Sequence, residues 1–182
     1  MKPTLNNAQE LLDKYIKSES LKNHCLAVSS AMRAYAKKYN EDEEQWQVCG
    51  LLHDFDYEKF PDEHPFKGVE ILKEAGYPQD IIDAILGHAV YSGVARETQM
   101  AKCLFAVDEL CGFIVACAKV RPENLQGMKP KSVKKKLKVK SFASKVNRDE
   151  IEQGIEELGI DKDEHIAFVI EALQGIEKEL GF

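Results

Sequence analysis

The sequence predicts an all-α fold: a compact multi-helix bundle with additional helices at its C-terminal end. Three observations carry that prediction. Apolar residues recur every three or four positions through most of the chain. Strand-like alternation is nearly absent, and the periodic segments are bounded by capping residues, prolines and glycines. With 182 residues, 44% hydrophobic and 31% charged, the chain can bury a real core. The expected division is a helical domain over 1–122, including an N-terminal helix, and a basic segment with C-terminal helices over 123–182, packed on the same domain.

The elements follow in order. Residues 20–39 place Leu21, His24, Ala27, Ala31 and Tyr35 on one helical face. Asn40-Glu41-Asp42-Glu43 reads as a capping box for the next helix, which buries Trp46, Cys49, Gly50 and His53. His53 then falls on the core side near the helix end, with Asp54 where the helix stops. His64-Pro65 opens another helix, proline being tolerated in a first turn, and Gly76 is placed to end it. Pro78 opens a helix through Ile81, Ile82, Ile85 and His88. Residues 97–120 form the most apolar helix, with Leu104, Val107, Leu110 and Cys111 around Asp108, and it should be central. Beyond Arg121-Pro122, residues 132–138 read as a short basic helix. Asn147-x-x-Glu150 and Asp161-x-x-Glu164 then open two amphipathic C-terminal helices.

Composition narrows the function. No apolar run reaches membrane-spanning length, and the N-terminus lacks the apolar core of a signal peptide, so a cytoplasmic protein with no membrane partner is expected. The cysteines (Cys25, Cys49, Cys103, Cys111, Cys117) are odd in number, form no C-x-x-C and lie in apolar helical segments, as free core thiols do in a reducing compartment. Net charge is −6, yet residues 124–148 hold nine of the 25 basic residues and no acidic one. Such asymmetry draws an anionic ligand to one face. The scarcity of interleaved aromatic residues and the acidic balance argue against nucleic acid.

The candidate chemistry lies in His24, His53-Asp54, His64, His88 and Asp108. Imidazole and carboxylate together suit one or two divalent transition ions, and the donor set accommodates iron, manganese, zinc, cobalt or nickel alike. Adjacent His53 and Asp54 would diverge by about 100° in a continuing helix, so they converge only because the helix ends there. Asp54, in the middle of the set, is the natural carboxylate to bridge two cations. Four of the five histidines fall on the pattern; His165 does not, and surface or core packing is expected for it.

This pattern resembles the HD superfamily of metal-dependent phosphohydrolases, named for the adjacent His-Asp pair. The likeness covers roughly 21–120 and includes the stretch from His64 through Gly68 to Leu72, similar to the family's H-x-x-x-G-x-x-x-L. It implies an HD-domain-like bundle in which His24, His53, Asp54 and Asp108 bind a first metal. His64 and His88 match the two histidines that binuclear members add, with Asp54 bridging. It further implies hydrolysis of a small phosphoester or phosphodiester, nucleotides included, by attack of metal-bound hydroxide, with Asp54 in the catalytic role. The alternatives are a diiron oxygenase of the same fold and a non-catalytic sensor or adaptor. Two departures matter. His53-Asp54-Phe55-Asp56 replaces HD-I-G, and Asp56 is read as a cap of the next turn in preference to a contact with metal-bound water. Gly87-His88-Ala89 lacks the H-H-E of cyclic-dinucleotide members, so their substrate is not transferred. Lys131 to Lys140 with Arg121 are the candidates for substrate phosphate, although most of these lysines read as a solvated face. The partner expected is a small phosphorylated substrate; oligomeric state stays open.

Overall fold

A computed structural model describes residues 2–182, and among these it contains nine α-helices and no strand. They are α1 (Leu5–Tyr15), α2 (Glu19–Tyr39), α3 (Glu43–Leu52), α4 (Phe66–Glu74), α5 (Gln79–His88), α6 (Gln99–Lys119), α7 (Pro130–Leu137), α8 (Arg148–Leu158) and α9 (Lys162–Gln174). A single 3₁₀ turn, Val90–Ser92, follows α5.

The local signals largely act as the sequence predicts, with boundary shifts: α7 starts at Pro130 rather than 132, Pro65 stands just before α4 rather than in its first turn, and two others have a clear local cause. Asn40 does not open α3: it closes α2 in the left-handed conformation (φ 58°), which asparagine tolerates better than most residues. Asp42 is the cap instead, its side chain accepting from the Gln45 N–H. The central helix starts at Gln99 rather than 97, because the Thr98 hydroxyl accepts from the Ala101 N–H. Asn147 and Asp161 cap α8 and α9 as their spacing predicts.

The core runs through the middle of the bundle. α6 is buried on nearly all sides and touches α2, α3, α5, α7, α8 and α9. Two glycines set how closely helices approach. A Cβ on Gly50 would lie 2.8 Å from Ser29 Cα, and one on Gly154 would lie 2.7 Å from Ala106 Cα. Thus α3 presses on α2, and α8 on α6, backbone to backbone. α9 packs against α2, α6 and α7. All five cysteines are free and buried. His165 is fully buried on α9, its Nδ1 2.5 Å from the Tyr35 hydroxyl and its Nε2 2.9 Å from the Ala106 carbonyl. No helix among the described residues is long and apolar enough to cross a membrane.

Candidate metal centre

The six sequence-predicted residues come together where α2, α3, α5 and α6 meet the turns after α3. His24 projects from α2, Asp108 from the middle of α6, and His53 from the residue that closes α3. His24 Nε2 lies 3.2 Å from His53 Nε2 and 3.0 Å from Asp108 Oδ1, and the third side of this triangle, His53 Nε2 to Asp108 Oδ1, is 3.3 Å. A second triangle is equilateral: His64 Nε2, His88 Nε2 and Asp54 Oδ1 are each 3.3 Å apart. Asp54 joins the two, because its other oxygen, Oδ2, stands 3.5 Å from His53 Nε2 and 3.7 Å from His24 Nε2.

The ring orientations are fixed from behind. His53 Nδ1 donates to the Gly50 carbonyl at 2.8 Å and His88 Nδ1 to the Ile85 carbonyl at 2.5 Å, each three residues back on its own helix. His64 has no such carbonyl; its Nδ1 donates to Asp56 Oδ1 at 2.7 Å. With the proton on Nδ1, each Nε2 carries a bare lone pair directed into the cluster. Lone pairs about 3 Å apart repel unless a cation lies between them. The separations suit that reading: ligand atoms on a tetrahedral ion with bonds near 2.0–2.1 Å lie about 3.3–3.4 Å from one another. Both triads could therefore hold a metal ion.

The two carboxylates dominate the electrostatics. Burial opposes charge on His53, but the Asp54 and Asp108 carboxylates outweigh it and push the imidazole up to about 9. Burial opposes charge on His88 as well, but donation of a hydrogen bond to the Asp54 carboxylate raises it. Burial would lift Asp54 and Asp108, yet facing histidines hold both below the usual carboxylate range. The two carboxylates thus call for positive charge beside them, which either protons on the facing Nε2 atoms or cations bound there in place of those protons supply.

A family model described as the HD domain matches residues 21–112, a span that contains all six residues. The chain belongs to the HD domain family. The family is one of the metal-dependent phosphohydrolase superfamily, and its domains bind divalent metals. No curated protein and no solved structure matches the chain.

Three features of this HD domain escaped the sequence. Asp56 is not merely a cap of the following turn. It is buried, and while Oδ1 holds His64, Oδ2 accepts from the Gly68 N–H at 2.7 Å in the first turn of α4. A Cβ on Gly68 would stand 2.7 Å from the Asp56 carboxyl carbon, so the glycine makes the space in which Asp56 sits. Second, the cleft above the triads, about 440 Å³, is lined by Tyr57, Tyr91, Glu109, Lys145 and Glu150. Burial and the adjacent Asp108 push Glu109 up to about 7, and the same two causes raise Glu150. Third, the cation lining the cleft among the described residues is Lys145, not a member of the Lys131 to Lys140 cluster. Lys135, Lys136 and Arg121 line a different cavity, and Lys134 pairs with Asp163 on α9. The sequence placed these cations in one stretch; the path of the chain around α7 separates Lys145 from the rest.

Proposed function

We propose that this HD-domain protein is a binuclear phosphohydrolase cleaving a small phosphoester or phosphodiester, with nucleotides inside that class. One observation carries the reading. The two oxygens of Asp54 face opposite ways, Oδ1 towards His64 and His88, Oδ2 towards His53 and His24, as a carboxylate shared by two ions requires. In this reading His24, His53 and Asp108 would hold one ion and His64 and His88 the other, with Asp54 available to both.

Divalent ions so placed supply a nucleophile at neutral pH and stabilise charge developing on the phosphoryl oxygens. The chain's own groups do the rest. Lys145 attracts the substrate's phosphate to an otherwise acidic cleft and fixes its approach. Tyr91 donates its hydroxyl to the His64 carbonyl at 2.7 Å, while the Tyr57 ring meets the His64 ring edge-on at 5.3 Å, so the two tyrosines border the cleft beside the second triad. Glu109 accepts from the Asn147 N–H through one oxygen and leaves the other for a hydroxyl or amine of the substrate.

The test is metal analysis of the purified protein beside a screen of phosphomonoesters and diesters with several divalent metals, with oxygen uptake followed in parallel. Phosphate release with manganese and no oxygen consumption is expected. Oxygen consumption that depends on iron, without phosphate release, would replace this reading by the oxygenase one. Asp54→Ala should abolish turnover and lower metal content while helicity by circular dichroism is retained. Full metal occupancy in that variant would overturn the ligand assignment.

A further inference from the structure

A second cavity, about 290 Å³, lies between the C-terminal end of α6 and α7. Its lining divides into two halves. Buried Cys117 and Met128, with the exposed Val139, form an apolar floor, and Arg121, Lys135 and Lys136 supply three cations, with Ser132 also lining the hollow. Among the described residues no carboxylate lines it. In a chain of net charge −6 this is a local inversion of sign, centred on the stretch that holds no acidic residue.

The cations are poised rather than consumed. Arg121 is fixed by two backbone carbonyls, Nε donating to Asn124 O and Nη2 to Gln126 O, both at 2.9 Å; its Nη1 has no partner among the described residues. Lys136 lies 4.7 Å above the Phe142 ring, which restricts its ammonium without neutralising it. Among the described residues neither Lys135 nor Lys136 forms an ion pair, in contrast to their neighbour Lys134. Burial pushes the Cys117 thiol up to about 11, so the floor presents a neutral sulfur and not a thiolate. Lys135 and Lys136 are exposed, so water carries their charges until an anion joins them at the hollow.

The cavity is also distinct from the metal cleft. Cys117 is nine residues beyond Asp108 on the same helix, about 13 Å along the axis and half a turn round, hence on the opposite face.

We infer that this cavity binds a phosphorylated small molecule with a compact apolar body, its phosphate held by Arg121, Lys135 and Lys136 and its body resting on Cys117, Met128 and Val139. A guanidinium with two ammoniums matches a phosphate dianion, and the volume, near the lower end of about 300–1,000 Å³ for ligand pockets, limits the body to roughly one ring. The inference does not depend on what the metal centre catalyses.

Phenylphosphonate is a suitable probe because its carbon–phosphorus bond withstands a phosphoesterase. Titrated into zinc-loaded, ¹⁵N-labelled protein, it should shift the amide signals of Cys117, Ser132 and Val139 saturably, apart from any response of Glu109 and Tyr91 in the metal cleft. Lys135→Gln combined with Lys136→Gln should weaken the first set by about tenfold or more, and Lys145→Gln should leave it unchanged. Shifts confined to the cleft would overturn the inference, as would unaltered affinity in the double variant. Equal affinity for inorganic phosphate would remove the role of the apolar floor. Tighter binding of a short oligouridylate at physiological salt would reassign the surface to nucleic acid.

Discussion

At the scale of single residues the decisive group behind the candidate metal centre is Asp56. It links the His64 ring to the α4 backbone, and it fits only because residue 68 is glycine. Groups that hold a ligand imidazole from behind typically change metal affinity about 10–100-fold when removed. Gly68→Ala and Asp56→Asn should therefore both weaken metal binding at the His64–His88 triad by that order and spare the His24–His53–Asp108 triad. Stepwise chelator titration with elemental analysis reads this; two ions held as tightly in Gly68→Ala as in the parent would exclude it. His165 is a contrasting case, a histidine that serves only the core. Buried and neutral, it accepts from Tyr35 and donates to Ala106, and burial lowers its pKa below the usual value. The unfolded chain, with a pKa of about 6.5, then takes up the proton first. The stability His165 confers is complete above that pH and is lost as pH falls through the lowered folded-state value. Urea midpoints at pH 7.5 and 5.5 should show a shallower pH dependence in His165→Gln than in the parent, and identical slopes would exonerate the residue. All six residues converging at the two triads were legible in the sequence, because each carries its chemistry in its own side chain. Asp56 was not: its partner Gly68 is twelve positions away, and nothing local distinguishes a carboxylate that caps from one that orients.

At the scale of elements, the packing of α3 on α2 and of α8 on α6 places residues of the candidate metal site, and both contacts rest on glycine. His53 closes α3, so its position follows the depth to which Gly50 lets α3 approach Ser29. Gly154→Ala brings a methyl against the Ala106 backbone, two residues before Asp108, where no flexible side chain can yield. Overpacking of this kind typically costs about 1–3 kcal/mol. A loss of that size in urea unfolding is expected with helix content unchanged, and a variant as stable as the parent would show that α8 can slide. The end of α5 is secured differently. Arg96 donates to the Gly87 carbonyl at 2.7 Å and pairs with Glu157 of α8 through two 2.6 Å contacts, its guanidinium 3.7 Å from the centre of the Phe105 ring. It thereby steadies the residue before His88. Helix existence was readable from periodicity throughout, and the ends that moved did so for a local reason. Asn40 can close one helix as readily as open another, and Thr98 caps where a glutamate at 97 seemed the start. The interhelical contacts of Gly50, Gly154 and Arg96 were silent, because each depends on a residue more than twenty positions away.

At the scale of the whole molecule, one loop joins the two cavities. The segment between α7 and α8 contributes Val139 to the basic cavity and Lys145 to the metal cleft. Its irregular backbone would be costly to hold in place, since few of its groups bond to one another. Arg148, the first residue of α8, supplies what is missing. Its guanidinium donates to the carbonyls of Leu137, Val139, Phe142, Ala143 and Val146, and lies 5.1 Å from the centre of the Phe113 ring on α6. Only a planar fork of donors can reach five acceptors at once, so lysine is no substitute despite equal charge. The run of cations was plain in the sequence, but their assignment to two different cavities is a property of this loop's path. Arg148→Lys should release the loop, move Lys145 from the cleft and raise KM on the order of tenfold for phosphorylated substrates, with a smaller fall in kcat and with metal content intact. Lys145→Gln should raise KM similarly, and the double variant should be little worse than either single one, because both remove the same contact. Additive losses in the double variant would mean that Arg148 acts on the cleft by some route other than Lys145, and loss of metal in Arg148→Lys would mean that the loop supports the triads themselves.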